Sequence, residues 1–498
     1  MDADVIVVGA GPTGLMLAGE LGQAGVRPLV VERHPQIRDI AKAGGLSGQI
    51  LRLLRYRGEL DRFEAASTAP RPMAAKFPFG GVHVDFTTLT DCPMEALPLP
   101  QPQLEAVLEE RARELGAEVR RGHEVVGVRQ DDAAVTVDLR GPDGERSVSA
   151  QYVVGCDGSR SRVRELVGIP FPGHTYPEVQ RLASFAVPES VTLLENGDIE
   201  IAGHGRVPFG FTPTERGVFA VGSSTPGTLG LYTSEDDLTG YDDDQPMTVA
   251  EMRDSVRRVM GVDLELTEAS RLTRFTFHAR QVERYRDGRV MLAGDAAHLF
   301  PAPGVPLGVG LLDAVNLGWK LAAAVHGWAP AGLLDSYHEE RRAAADRTML
   351  HAQAQVALRR GHDAAADALR ELFVELMVDE APLRRIAGLF AGSDVHYPLP
   401  GQERHPLVGA FASDLSPRTH RPVLVDLGGR TDLRDLAGGW HDRVDVVTDA
   451  TDQVQADALL IRPDGHVAWA ATVDEPADIA TTTLREALTH WFGPPAER

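Results

Sequence analysis

The chain alternates short, wholly apolar runs with longer stretches whose apolar residues recur at helical or two-residue spacing. Residues 5–8 form a continuous apolar run, as expected of a strand buried on both faces. A turn, Gly9-Ala10-Gly11-Pro12-Thr13-Gly14, leads into a helical pattern through Gly22, and a second apolar strand over 28–31 ends on Glu32. Ile50, Leu53, Leu54 and Leu60 mark one side of a helix. Residues 66–102 are rich in proline, glycine and short alternating runs, which predicts antiparallel strands inserted between two elements of the first unit. A helix over 101–115 follows, then a strand and hairpin over 118–137. Residues 151–157 and 289–294 return to the buried-strand pattern, and 175–280 reads mostly as short alternating segments of a sheet. Helices are predicted over 307–325 and from 333 to about 390. The proline-rich stretch 396–406 reads as a linker. Beyond it, strands at 421–427, 443–447 and 456–462 alternate with helical segments and end in a helix over 480–492. No internal repeat or low-complexity segment interrupts the pattern.

The opening unit carries the first chemistry. Gly9 permits a tight turn, Gly11 lets the backbone approach a pyrophosphate, and Gly14 allows close packing of helix on strand. Pro12 suits the first helical position. The helix start supplies N–H groups and a positive dipole end to phosphate. Glu32 lies eighteen residues after Gly14, where a carboxylate accepts hydrogen bonds from an adenosine ribose. A strand on either side and the acid in place make this a dinucleotide site rather than a structural turn.

With 498 residues the chain exceeds one compact core, so two or three domains are expected. The net charge is −22, and lysine occurs only at Lys42, Lys76 and Lys320. That acidity argues against nucleic acid or anionic membrane as partner and favours a solubility role. Two cysteines, Cys92 and Cys156, cannot form a disulfide framework or a metal site, which fits a cytoplasmic protein. The N-terminus, Met-Asp-Ala-Asp, lacks the basic region of a signal peptide, and no uninterrupted apolar run approaches a membrane span.

Three separated motifs coincide: GAGPTG with Glu32, CDGSRSRVR at 156–164, and YRDGRVMLAGDAAH at 285–298, followed by DAVNLGWKLA from Asp313. Together they resemble the FAD-dependent aromatic hydroxylases, single-component flavoprotein monooxygenases of the p-hydroxybenzoate hydroxylase type. The resemblance covers residues 4 to about 345. The C-terminal unit, with ALLIRPDGHVAWA at 458–470, is similar to the thioredoxin-like domain of phenol hydroxylase, rifampicin monooxygenase and the polyketide hydroxylases, but has no CxxC and so no thiol redox role.

The resemblance implies a mixed α/β and α+β architecture. A Rossmann-like FAD-binding domain would span 1–175 and 280–395, with 70–100 contributing to a β-sheet substrate domain over 176–279 and a thioredoxin-like domain over 400–498. It implies FAD as cofactor, NAD(P)H as transient co-substrate, and O₂ activated as a flavin C4a-hydroperoxide that hydroxylates a bulky aromatic or polyketide substrate. It also implies site residues. Gly9, Gly11, Pro12, Thr13 and Gly14 would hold the pyrophosphate, and Glu32 with Arg33 the adenosine. Asp295 would take the ribityl chain or pyrophosphate, Lys42 and Gln101 would stand near the flavin, and Val125 would meet the adenine through its backbone. Asp157 and Gly158 match a motif linked to both nucleotides. Pro301, Gly304, Leu307 and Gly308 would line the flavin, the last two offering helix N–H groups to its pyrimidine carbonyl, where reduced flavin carries negative charge. Structural readings stand beside these: Gly158 as a turn, His298 as a hydrogen-bonded core residue, Arg160, Arg162 and Arg164 as surface ion pairs. His83, His204 and His278 fall in the predicted sheet domain and read as structural, leaving no catalytic base. A monomer or homodimer is expected.

The chain departs from the family in two places. The usual PPTGGQGLN loop reads Pro301-Ala302-Pro303-Gly304-Val305-Pro306-Leu307-Gly308, and the arginine-rich segment reads Ala41-Lys42-Ala43-Gly44-Gly45. FAD binding is expected to survive both. Two other readings remain open: a flavin oxidoreductase of another kind (dehydrogenase, Baeyer–Villiger oxygenase or rearrangement catalyst), and a relative that binds FAD or polyketide without turnover.

Overall fold

A parallel sheet lies at the centre of the N-terminal unit because its strands are apolar on both faces. In the computed structural model, strand Val5–Val8 has Tyr152–Gly155 on one side and Pro28–Glu32 on the other, all parallel, with Val8 opposite both Gly155 and Val31. Strands Val290–Leu292 and Arg286–Asp287 continue the first edge and Glu118–Arg121 closes the second, making six strands. The residues described are 1–496 apart from 40–42, 70, 75, 223–226, 237–244, 303–305, 361–362, 402–403, 413–414, 416–418 and 450–453. Helices Pro12–Gln23 and Pro306–Val325 pack closely across small residues: a Cβ on Gly318 would lie 2.6 Å from the Glu20 Cβ. Helix Pro306–Val325 is long and apolar enough to cross a membrane by length and composition. Here its apolarity serves a buried position, from Gly310 to Ala323, at the heart of the unit.

The expected insertions are strands. Lys76–Phe79 and Val82–Asp85 form a hairpin, and Gly45–Ser47, Glu95–Pro98 and Met73–Ala74 a small sheet. The stretch expected as one helix around Ile50 and Leu60 is two, Gln49–Arg57 and Leu60–Ala66, broken where Gly58 takes φ 73°. A six-stranded antiparallel sheet runs Gly210–Thr214, Gly217–Gly222, Thr228–Asp236, Gly173–Ala186, Ala269–Gln281, His298–Leu299. One helix within this region, Val249–Met260, escaped the strand reading. Its signals were present: the Thr248 hydroxyl caps the Glu251 N–H, and Met252, Val256 and Val259 recur at helical spacing. Those residues bury one face of the sheet against Ala183, Phe185, Phe219 and Leu231.

The C-terminal unit has four strands in the order Asp445–Thr448, Val423–Asp426, Ala458–Ile461, Val467–Ala471. The first two are parallel and the rest antiparallel, with helices Thr431–Ala437 and Ala477–Phe492. The Arg462–His466 turn between its last two strands is driven into the N-terminal unit. Arg462 donates to both Glu340 carboxylate oxygens at 2.7 Å, and Lys320 Nζ donates to the same carboxylate at 2.8 Å. Asn316 bridges Glu340 and Asp464 at 2.7 and 2.9 Å. Arg57 donates to the Pro463 carbonyl at 2.8 Å and to Glu20 at 2.7 Å. Arg57, Lys320 and Arg462 thus face Glu20, Glu340 and Asp464, and all six are buried. Burial drags the Lys320 ammonium down to about 8 against the pull of Glu340. The segment read as a linker is part of this joint: Tyr397 is buried, stacks on His466 at 4.1 Å and accepts from Arg341 at 2.8 Å.

Two stability measurements follow. Glu340→Gln keeps the shape but leaves Arg462 and Lys320 short of countercharge. It should cost about 3–5 kcal/mol in urea unfolding followed by tryptophan fluorescence; a loss under about 1 kcal/mol would contradict a dry, balanced joint. His351, buried beside Phe390 on helix Asp335–Arg360, is held by burial at about 4 against an ordinary 6.5. The unfolded chain takes up this proton first as pH falls, so stability should drop between about 6.5 and 4, by roughly 3 kcal/mol in total. His351→Leu should flatten that slope.

Candidate active site

The turn after the first strand divides its glycines among three tasks. Gly9 has φ 105°, and a Cβ there would lie 2.5 Å from the Cys156 carbonyl oxygen. A Cβ on Gly14 would lie 2.0 Å from the Gly9 carbonyl oxygen, so helix and strand touch there. A Cβ on Gly11 would meet nothing within 4 Å. The one glycine with open space above it is the one that must let a pyrophosphate approach. Pro12 opens the helix, whose first-turn N–H groups point at that space. Thr13 also packs against two other glycines. Its Oγ1 lies 2.7 and 2.6 Å from where Cβ atoms would stand on Gly294 and Gly310, so the side chain wedges between them.

Glu32 accepts the Ala10 N–H and the His34 N–H, both at 2.9 Å, and so ties the end of its strand to the glycine turn. Arg33 is exposed beside it. His123 donates its N–H to the Glu32 carbonyl at 2.8 Å, which brings strand Glu124–Gln130, and with it Val125, alongside. Gln101 begins helix Gln101–Glu114, donates its backbone N–H to the Ala43 carbonyl at 3.1 Å and donates through Nε2 to Glu105 at 2.8 Å. Lys42 and Gly304 lie outside the described residues.

The second strand end supplies Gly294–Ala296, a 3-10 turn that exposes Asp295 next to Thr13. This turn is held from beneath. Asp313 accepts the Gly294 N–H at 2.9 Å, shares its Oδ2 with His298 Nε2 at 2.7 Å, and accepts from Arg341 Nε at 2.6 Å. Burial opposes the Asp313 charge, but His298, Arg341 and the Gly294 N–H together hold its carboxyl below the usual range. His298 therefore takes its structural reading. Asp157 is committed as well: it accepts from the Ser161 hydroxyl and from the Arg162 and Val163 N–H groups, capping helix Arg162–Leu166. Burial raises its carboxyl. The next residue, Gly158, has φ 84° and open space around it.

Pro301 is buried, and its neighbours Phe300 and Ala302 pack on Ala345, Met349 and Ala352. Leu307 and Gly308 fall in the first turn of helix Pro306–Val325, as expected, with Gly308 near the Ser47 carbonyl. Close by, Gln49 is buried at the start of its helix, and among the described residues neither amide atom has a partner. Sequence reading missed Gln49 because an amide at a helix start carries no distinctive pattern. An open glycine cradle, helix N–H groups at two strand ends and an unsatisfied buried amide fit a bound dinucleotide.

The long sheet leaves its other face clear of helix Val249–Met260. Leu182, Tyr232 and Thr273 lie in register across it, opposite the face that helix Val249–Met260 covers. Tyr232 donates to Gln180, and Phe211 packs edge-on to Tyr232 at 5.5 Å. Below them a cleft of about 300 Å³ opens between Gly81, Phe211, Val218, Leu358 and Arg359. Of the histidines, His83 lies against Phe209, His278 pairs with Thr175 at 2.8 Å, and His204 sits in an exposed turn.

Residues 2–352 match the model of an FAD binding domain, and residues 405–495 match that of the aromatic-ring hydroxylase C-terminal domain. The chain is 40% identical, over all of both chains, to the 12-dehydrotetracycline 5-monooxygenase/anhydrotetracycline 6-monooxygenase of Streptomyces rimosus subsp. rimosus. It is 39% identical, again over both full lengths, to the dialkyldecalin synthase of Streptomyces rugosporus. Among solved structures, the anhydrotetracycline hydroxylase of Streptomyces rimosus superposes with a TM-score of 0.86 at 38% identity, covering 100% of each chain.

The glycine geometry yields a paired test. Gly11→Ala meets no atom and has φ −80°, so apoprotein stability should stay within about 0.5 kcal/mol. Its FAD affinity should fall at least about tenfold, because the methyl occupies the phosphate approach. Gly14→Ala should instead lower the melting temperature sharply, at a cost of about 3 kcal/mol or more. Equilibrium dialysis and thermal melts separate the two; equal FAD binding by Gly11→Ala would refute the cradle.

Proposed function

The chain belongs to the family of FAD-dependent aromatic-ring hydroxylases, and on that footing we propose that it hydroxylates a bulky, polycyclic aromatic substrate of polyketide type, in the making or modification of an antibiotic. The open cradle over Gly11, built against Glu32 and the Asp295 turn, carries the reading. Bound FAD supplies the chemistry, taking electrons from NAD(P)H and passing one atom of O₂ to an electron-rich ring.

The chain's own residues do the rest. Gly11, Pro12 and the backbone of Thr13 receive the pyrophosphate, Glu32 and Arg33 the adenosine, and Asp295 the ribityl side. Gln101 and Gln49 stand as polar neighbours of the flavin. Leu307 and Gly308 turn helix N–H groups towards negative charge on the reduced ring. Phe300, Pro301 and Ala302, packed against helix Asp335–Arg360, keep water from the reacting centre. The sheet face of Leu182, Tyr232 and Thr273 orients the substrate. No side chain is assigned as a base. The C-terminal unit, with its parallel first strand pair and no dithiol, we read as a thioredoxin-like brace rather than a redox partner. The protein acts in the cytoplasm, as a monomer or homodimer, without nucleic acid or membrane.

A second reading is a catalyst of ring formation or rearrangement that keeps its flavin. The similarity to dialkyldecalin synthase over the full chain supports it, as does the altered sequence from Pro301 to Gly308. The visible spectrum before and after anaerobic NADPH distinguishes the two. Flavin bands at roughly 370 and 450 nm that bleach, faster with a polycyclic phenol present, support the hydroxylase. Bands that persist even with such a phenol move the assignment to the redox-neutral catalyst. Asp295→Ala should purify colourless; full FAD occupancy in that variant would remove Asp295 from the site.

A further inference from the structure

Arg359 stands where a substrate of this size would end. It is the penultimate residue of helix Asp335–Arg360 and only 7% exposed. Its guanidinium carbon lies 4.7 Å over the Phe277 ring. Among the described residues, its Nη2 is buried with no hydrogen-bond partner. The neighbouring charges are spoken for: Arg370 donates to Asp367 at 2.5 Å and to the Leu358 carbonyl at 2.7 Å, while Arg360 pairs with Glu178. The cleft therefore holds one net positive charge, in a chain whose net charge is −22.

A buried guanidinium with an unmet N–H is costly unless a ligand satisfies it. Of the cleft's other walls, Phe211, Pro213, Val218 and Leu358 are apolar, while Asp367 and Arg370 neutralise each other. Apolar walls beside one guanidinium left over after the Arg370–Asp367 pair suit a flat aromatic body bearing an ionised oxygen, such as a phenolate, enolate or carboxylate.

Position adds the length. Ala345, Met349, Ala352, Val356 and Arg359 follow each other at spacings of three and four, so they share one stripe of the helix. The first three touch Phe300 and Ala302 beside the flavin site, and Val356 packs on Phe277. Arg359 lies seven residues beyond Ala352, about 10 Å along the axis at 1.5 Å per residue. A single ring held at the flavin does not span that distance; several fused rings do.

We propose that Arg359 is a specificity residue that anchors an ionised oxygen at the end of a polycyclic substrate remote from the ring that is oxidised. This rests on the monooxygenase reading for the location of the reacting end. The test measures binding, by fluorescence quenching, of anthracene-2-carboxylate and its neutral isostere anthracene-2-carboxamide to the FAD-loaded protein at pH 7.5. The wild type should bind the carboxylate about tenfold more tightly than the amide. Arg359→Gln should erase that preference with amide binding and flavin spectrum unchanged, and Arg359→Lys should keep part of it. Equal binding of the two probes to wild type, binding of neither, or an anion preference that survives Arg359→Gln would overturn the proposal. Failure of the monooxygenase reading looks different: no NADPH oxidation with any phenol, while the anion preference and its loss in Arg359→Gln persist and still support the anchor.

Discussion

Six buried charges hold the two ends of this chain together. Arg57, Lys320 and Arg462 meet Glu20, Glu340 and Asp464 at a joint from which water is excluded. Taking any one of these ions out of water costs several kcal/mol, so the arrangement is tolerable only when every charge finds its counterpart and every N–H an acceptor. Geometry comes near that demand through the bidentate Arg462–Glu340 pair and the Asn316 bridge, with Arg57 Nε left without an acceptor among the described residues. The result is a joint that specifies one docking of the C-terminal unit more than it adds net stability.

The joint continues into the active centre. His466 stacks on Tyr397, Tyr397 accepts from Arg341, and Arg341 donates to Asp313, which holds the Gly294 N–H and His298. A continuous chain of contacts thus runs from the C-terminal turn to the backbone beside Asp295. Small residues complete the centre. Gly14, Gly310 and Gly294 let the glycine turn, the Asp295 turn and the start of helix Pro306–Val325 approach to backbone distance, with Thr13 as the wedge between them. Three helix starts and strand ends converge on one crevice, where an open α/β sheet places its ligand.

Much of this was legible one residue at a time. The glycine tasks, the Glu32 position, the buried parallel strands and the Pro306 helix start follow from local rules about φ, helix termini and periodicity, and these rules act over a few residues. The packing of the Thr13 side chain could not be read, because its neighbours, Gly294 and Gly310, are nearly three hundred residues away. The stretch from 396 to 406 looked like a linker for the same reason: proline and glycine describe its backbone, but Arg341 and His466 decide that Tyr397 is buried. Helix Val249–Met260 is a different failure, since its cap and spacing were there to be read and the surrounding strand pattern outweighed them.

By itself the sequence determined the dinucleotide unit, the inserted sheet and the presence of a separate C-terminal unit, and the flavin entered through the resemblance its motifs carry. Each of those is written in short-range spacing or in motifs whose chemistry needs particular residue types in a row. Only the tertiary structure decided which face of the sheet helix Val249–Met260 covers, that His298 and Asp157 support loops, that Arg462 belongs to the flavin unit as much as to its own, and that Arg359 lines a cleft. Those outcomes depend on what packs opposite a residue, and burial, countercharge and open space are properties of neighbours that the chain brings together only when it folds.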